Sequence, residues 1–518
     1  MLRMLPLLIG LALAASACDT DPVADCPGDP ACPPTAFDPS TVDYDAVTSL
    51  DYTAQVQPLL AARNPFGFTA DGARSYVHAD LLDNAAGATI VPFDAAASPL
   101  IRLATQALAD GIANPYPAVE AFEPDEVRFL ARWIEDGARG PEGRPAYADA
   151  TRLLYVCNQL AGRVAVVDVD RRRTIRHVDF EPLGQPANAK PHHVVAEPAQ
   201  AGGGAWYVTL IDGTGGGSVL KMDGSLFLDP ADPAIVLAQE TPTDGEDTFQ
   251  KPGMLALDAE RGRLYAGRSF SAAASSSGLA TLDTGDLAYD TFETGPIHPH
   301  AIGVSADGAF VYTAALTSAG GETEVFVLDA ATGDRVQRLA LPGQLAFVSF
   351  AVSDRDPLAV LTSQTGDALV VFDVQDDPEV PDYGTLSVRH TVPVEGQPWH
   401  PALSPLGPVA YVPNRTGGTV SVVDLGTGAV VQTIRNAAFS QPHGAAVSAD
   451  GALLFISSRN LSATGQASYE PPLRFVVDGQ PEPADLYGNV VILDASSGAE
   501  VAVIPQGRFA SGLAYAER

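Results

Sequence analysis

Lysine is almost missing from this chain: Lys190, Lys221 and Lys251 are the only three in 518 residues. Lysine and arginine together number 30 against 63 aspartates and glutamates, a formal net charge of −33. A field of that sign repels phosphate backbones, which argues against nucleic acid as a partner. Cysteine is scarce at four, and no methionine occurs between Met4 and Met222. Beyond Leu5 to Ala15 no apolar run approaches the length of a membrane span. There is no Gly-x-Ser-x-Gly elbow and no phosphate-binding loop, so serine-hydrolase and nucleotide-hydrolysing chemistry lack their usual sequence supports. What is plentiful is glycine (48) and proline (42), the punctuation of many short strands. A hydrophobic content of 46% allows a large core, and the length suggests two or three units.

The N-terminus has the anatomy of an export signal. A basic start at Met1-Leu2-Arg3 precedes the apolar run, and Ala15-Ser16-Ala17 places small residues directly before Cys18. This resembles a bacterial lipobox, with Ala15 where leucine is usual. The resemblance implies a signal peptide over 1–17, lipidation of Cys18, a membrane attached through that lipid, and residence in the bacterial cell envelope (periplasm, outer membrane or surface). Residues 18–40 are rich in Pro, Asp and Ala and read as a disordered tether. Cys26 and Cys32 fall within it and suit a small disulfide in an oxidising compartment. Cys157 sits in a strand pattern and reads as a buried free thiol.

Residues 41–147 read as helical. The clearest helix runs from Phe122 through Trp133-Ile134, with apolar side chains three and four apart and Gly137 after its end. The order Val56 to Arg63, Ser98-Pro99-Leu100, then Trp133-Ile134-Glu135-Asp136-Gly137-Ala138 resembles small c-type cytochrome domains. The haem-attachment cysteines and histidine are replaced by Asn64-Pro65-Phe66-Gly67-Phe68, so haem is not expected and His78 alone does not hold one.

From Leu153 onward the chain repeats itself. Leu153-Leu-Tyr155-Val156-Cys-Asn158 leads to a strand ending at Asp168, and Val409-Ala-Tyr411-Val412-Pro-Asn414 leads to one ending at Asp424. The closing aspartate recurs as Asp168, Asp223, Asp283, Asp329, Asp373, Asp424 and Asp494. Seven units of this length predict a mainly β fold, a seven-bladed β-propeller over 148–518 behind a small N-terminal α-helical domain. The units resemble YVTN-type propeller repeats, a likeness that implies the fold and little about function. The first unit lacks an innermost strand, and Phe509 to Tyr515 has the pattern to supply it from the C-terminus.

Six of nine histidines stand where innermost strands begin: His192 and His193, His298 and His300, His400, and His443. Aligned on the preceding proline, His192, His300 and His443 share one position, while His193 and His400 fall one residue later. In blade three the place belongs to Gly253-Met254, and in blade five roughly to Gln344-Leu345. Such residues from separate blades converge on one opening of the axial channel. Converging imidazoles suit copper or zinc, with His192, His300 and His443 as ligands and His193 and His400 as auxiliaries. They equally suit a recognition site for an unspecified small molecule or protein, flanked by His298, Trp399, Met254 and Arg474. A long insertion, Ser462 to Leu486, brings Tyr469, Arg474 and Phe475 as candidates for a rim over this opening. Ile297-His298-Pro299-His300 running into Ser305-Ala306-Asp307-Gly308 also resembles a segment of seven-bladed lactonases, which makes a lactonase-like hydrolase the third reading. Binding or scaffolding leads, since the fold alone suffices for it.

Overall fold

The computed structural model describes residues 37–68, 76–83, 90–198, 204–212, 217–241, 243–244, 247–248, 251–268, 278–294, 298–316, 324–344, 346–461 and 469–518. The signal segment, Cys18, Cys26 and Cys32 lie outside them. Among the described residues no helix is long and apolar enough to cross a membrane.

Seven four-stranded antiparallel sheets follow one another from Arg152 to Glu517. The innermost strands of blades 2 to 7 are Pro191–Ala196, Pro252–Asp258, Pro299–Val304, Phe347–Val352, Ala402–Leu403 and Pro442–Val447. Blade 1 takes its innermost strand, Ala510–Glu517, from the other end of the chain; it pairs antiparallel with Arg152–Asn158 and sets Tyr155 opposite Ala514. These inner strands contact one another in cyclic order, through blade 1 and back to blade 2, so the chain forms a closed seven-bladed β-propeller.

The strand patterns follow from this packing. A middle strand is covered on both faces, and Thr419–Asp424 is accordingly buried along nearly its whole length. An outer strand such as Arg335–Ala340 has only half-buried or exposed positions. The recurring aspartate is a turn device. Asp494 Oδ1 accepts from the backbone N–H groups of Ser496 and Ser497, and Asp329 Oδ1 accepts from those of Ala331 and Thr332. Asp373 departs from the pattern and pairs with Arg389 at 2.5 Å. Cys157 is a buried free thiol whose pKa burial pushes up.

The helical region contains Gln57–Arg63, His78–Leu82, Pro99–Thr105 and Pro124–Glu135. The last starts with a capping box between Glu123 and Glu126 and buries Val127, Phe129, Leu130, Trp133 and Ile134. Tyr52 and Trp133 pack at 5.7 Å between ring centres, and His78 Nε2 bonds the Ala138 carbonyl at 2.8 Å. The region packs on the outer edge of blade 1, where His177 Nδ1 meets Asp94 at 2.8 Å and Arg171 meets Asp83 at 2.9 Å.

The long blade 7 insertion corrects an expectation. Phe475 is not a rim residue: it is buried, bridged to Leu108, and lies 3.9 Å beneath the Arg102 guanidinium. Arg102 pairs with Glu482 at 2.7 Å, Ala109 N donates to the Arg474 carbonyl at 2.9 Å, and Val476 N donates to the Ala107 carbonyl at 2.8 Å. Leu473 and Phe475 of the insertion clasp the helical region by packing with its apolar core, whereas Tyr469 packs against blades 6 and 7 and its N donates to Asn460 Oδ1 at 2.7 Å.

Candidate functional site

The inner strands share an approach that positions their first side chains. The residue just ahead of the strand is left-handed in five blades: Lys251 (φ 57°), His298 (59°), Ala346 (55°), Gln441 (61°) and Phe509 (63°). In blade 6 the same role falls to Gln397 (φ 55°), ahead of Pro398. Non-glycine residues are uncommon in this region, and the residue before proline normally avoids helical backbone altogether. Such local strain persists where the surroundings impose it, which is common at binding sites. A register break follows inside the strand, for example between Pro191 and Val194 and between Pro442 and Ala445. A bulge re-aims side chains that would otherwise alternate between faces. Consecutive residues of blade 2 therefore reach one space.

Five histidines meet there. Ring centres lie 5.7 Å apart for His192 and His300, 6.1 Å for His192 and His400, 5.5 Å for His193 and His400, and 4.6 Å for His400 and His443. Trp399 occupies in blade 6 the position that His443 holds in blade 7, and the two rings sit 4.4 Å apart. Backbone bonds tie blade 6 to blade 7 at this point: His400 N donates to the His443 carbonyl and Ala445 N to the His400 carbonyl, both at 3.1 Å. A hydroxyl on the second strand secures the bulge in blade 2, where His193 N donates to Thr209 Oγ1 at 3.1 Å. That hydroxyl then donates to the Gly253 carbonyl at 2.8 Å. Gly512 of blade 1 must lack a side chain, since a Cβ there would stand 2.5 Å from the His192 carbonyl oxygen.

All five imidazoles are held neutral. Burial lowers the His193 pKa to about 3 and that of His300 to about 4. Burial, reinforced by neighbouring imidazoles and by Arg459, holds His192, His400 and His443 well below the usual value. His300 Nδ1 bonds the Val348 carbonyl at 2.8 Å, so Nδ1 carries the hydrogen and Nε2 keeps a lone pair. His193 Nδ1 accepts from Leu255 N at 3.2 Å, which leaves the hydrogen on Nε2. The other three rings have nothing of the kind: both nitrogens of His192, of His400 and of His443 are buried without a hydrogen-bond partner among the described residues. Burying one such group unpaired costs about 1–3 kcal/mol, and native proteins seldom leave several side by side.

Arg459 adds to the imbalance. Its guanidinium lies 4.0 Å from the centre of the Phe509 ring and 4.5 Å from that of Trp399, and its Nε has no partner. Among the described residues it forms no ion pair. A desolvated cation–π contact returns about 2 kcal/mol, whereas desolvating an ion costs several. The aromatic floor alone does not compensate the buried charge. Arg415 also stands over Trp399, 5.3 Å from its ring centre.

No protein-family model matches the chain, and no curated protein matches it. Three solved structures show what it is similar to. The hydrazine synthase of Kuenenia stuttgartiensis is 15% identical, covering 59% of this chain and 89% of that one, with a TM-score of 0.47. The β-propeller domain of Myceliophteria thermophila Cps50 (Swd1) is 11% identical over 58% of this chain and 88% of that one, TM-score 0.45. A chain of a nidogen/laminin complex is 11% identical over 56% and 95%, TM-score 0.38. The propeller itself rests on the strand pairing.

Of the residues singled out from sequence, His192, His193, His300, His400, His443 and Trp399 come together. His298 supplies the left-handed turn ahead of Pro299, with its pKa lowered by burial and by Arg268. Met254 packs into the core with Tyr265, Leu279 and Ile302. Arg474 belongs to the clasp and pairs loosely with Glu470 at 3.8 Å. Sequence reasoning missed Arg459, Arg415 and Phe509, although Arg415 and Arg459 each directly follow the second strand of their blade. A cavity of about 260 Å³ between blades 4 and 5 is lined by Ser305, Asp307, Arg355 and Tyr383, at the far end of those inner strands, and includes none of the histidines.

Proposed function

We propose that this chain is an envelope-anchored binding or scaffold protein whose recognition site is the histidine-lined end of the propeller channel. The observation that supports it is the set of six buried ring nitrogens on His192, His400 and His443 with no partner among the described residues. Groups in that condition are matched to something absent from the chain itself. A thermal-shift screen of the whole chain against a small-molecule metabolite library tests the reading. Stabilising compounds should lose their effect in the His192→Leu, His400→Leu, His443→Leu triple variant. Hits that stabilise the triple variant equally, or no hits at all, defeat it.

Copper or zinc is the second reading. Two imidazoles on one ion at 2.0–2.1 Å place their ring centres about 4.5–5.5 Å apart. The pairs His400–His443 at 4.6 Å and His193–His400 at 5.5 Å are of that size. Among the described residues no group of three or more His, Cys, Asp or Glu already stands as a metal site, so loading would require rings to turn. Copper and zinc far below one per chain in untagged protein, even after reconstitution, would dismiss this reading. The lactonase-like reading gains nothing: His300 is committed to Val348, and no carboxylate hydrogen-bonds any of the five rings among the described residues.

The anchor is part of the same proposal. Labelled palmitate should enter the wild-type chain and be absent from Cys18→Ser. The YVTN-type ancestry of the blades and a haem-less, cytochrome c-like origin of the helical region complete the reading, the latter supported by the aromatic core of Tyr52, Phe129 and Trp133.

A further inference from the structure

We propose that the ligand taken at the histidine end of the channel is an anion, a carboxylate or another oxyanion, seated on Arg459 with the adjacent imidazole N–H groups. This rests on the reading of that end as a binding site and adds the chemical class of its occupant.

The charge distribution supports it. The chain carries 63 acidic residues, yet Arg459 is buried over Phe509 and Trp399 with no acid beside it among the described residues. Five of the chain's 30 lysines and arginines stand at this end. Lys190 and Lys251, two of the three lysines, precede the inner strands of blades 2 and 3 and share Asp212. Arg268, Arg415 and Arg459 end or directly follow the second strands of blades 3, 6 and 7. A cluster built to hold a cation would not place a buried guanidinium within electrostatic reach of His192, His400 and His443. A neutral ligand would satisfy the imidazoles and leave the Arg459 charge uncompensated. An oxyanion answers both needs: its oxygens accept from the guanidinium, and its remaining lone pairs accept from the N–H that each neutral imidazole of His192, His400 and His443 carries. Trp399 packs against both the Arg459 guanidinium, at 4.5 Å, and the His443 ring, at 4.4 Å, so the cation and the imidazoles share one neighbour.

The test uses the whole chain at constant ionic strength, with chloride replaced stepwise by sulfate, phosphate or citrate. Thermal midpoints and calorimetric titration are the readouts. For the wild type, at least one of the three should raise the midpoint progressively beyond chloride, and the arm that responds best separates a phosphate-type from a carboxylate-type ligand. Arg459→Gln should weaken that binding at least tenfold, and Arg459→Lys should weaken it less. Arg459→Gln should also melt at or above the wild-type temperature without anion, because it removes a buried charge that lacks a partner; a purely structural arginine would give a lower midpoint. No response of the wild type to any of the three anions overturns the inference, as does unchanged affinity in Arg459→Gln. If anions fail while metabolite hits that depend on His192, His400 and His443 persist, the channel end remains a binding site and only the anion assignment falls.

Discussion

At one end of the inner strands of blades 4 and 7, Ser305-Ala306-Asp307-Gly308 and Ser448-Ala449-Asp450-Gly451 close tight turns whose polar side chains are all engaged. Asp450 Oδ1 accepts from Ser448 Oγ at 2.5 Å and from Ala452 N at 3.0 Å, and Gly308 and Gly451 take the left-handed position that suits glycine. At the other end of the same strands, left-handed positions fall to His298 and Gln441, and the next side chains are imidazoles. There His443 has no hydrogen bond at either ring nitrogen among the described residues. In these two blades the turn end obeys the rules of local structure and the other end breaks several at once. Proteins that satisfy these rules elsewhere and break them in one place do so where they bind or react.

The severest way to break this contrast removes both ends together. Deleting residues 508–518 takes away the inner strand of blade 1 and the Phe509 floor beneath Arg459, and opens an edge next to Arg152–Asn158. The single cooperative unfolding transition should disappear in calorimetry; a truncated chain that melts normally contradicts the closed ring.

Acid separates the two ends by pH window. Unfolded imidazoles titrate near 6.5, while His193 and His300 are held at about 3 and about 4. Between those values the unfolded state binds more protons, so stability rises with pH and is lost as pH falls. His193 and His300 each forfeit about 2 kcal/mol between pH 7 and pH 5, a large share of the roughly 5–15 kcal/mol that holds a domain folded, and the other three rings act in the same direction. At the turn end, serine hydrogen bonds lower the Asp494 pKa to about 2, and those of Asp307 and Asp450 are lowered as well. Their contribution is present above the carboxylate range and fades only as pH drops through it. Urea unfolding at pH 7.5, 6, 5 and 4 should show stability falling below pH 6.5 and still falling between pH 5 and 4, and a flat profile down to pH 5 would place the imidazoles in water.

A crowding substitution sharpens the contrast further. Gly512→Ala drives a Cβ to 2.5 Å from the His192 carbonyl oxygen, backbone that cannot swing aside. A loss of about 1–3 kcal/mol is expected, with weakened binding of any ligand that depends on His192. Full stability in Gly512→Ala would mean that blades 1 and 2 do not approach this closely.

The propeller was legible because the second and third strands of every blade carry their own signal, an alternating run closed by an aspartate that, Asp373 of blade 5 apart, serves its own turn. The histidine convergence was legible for the same reason, with proline marking the register in blades 2, 4, 6 and 7. Blade 5 has no such mark, and its inner strand begins at Phe347, with left-handed Ala346 ahead of it, rather than near Gln344-Leu345. Arg459 stayed hidden since its meaning depends on Trp399 and Phe509, which come from other blades. The insertion was misplaced for a similar reason: its partner Arg102 lies 380 residues from Glu482 in sequence.

The smallest expected effects make the most discriminating pair. Asp450→Ala removes an acceptor from a satisfied turn and strands Ala452 N and Ser448 Oγ, which should cost about 1 kcal/mol. His400→Leu removes two buried nitrogens that have no partner and puts apolar volume in their place. Replacing an unsatisfied polar group by an apolar one is near neutral or stabilising, so its change should stay within about 1 kcal/mol of zero or favour the folded state. The conservative-looking change at the surface turn is thus expected to hurt more than loss of a fully buried residue at the centre of the cluster. Chemical denaturation of the two variants side by side decides it. A loss above about 2 kcal/mol in His400→Leu would show that its ring is bonded in solution, and the contrast between the two ends would then no longer mark the site.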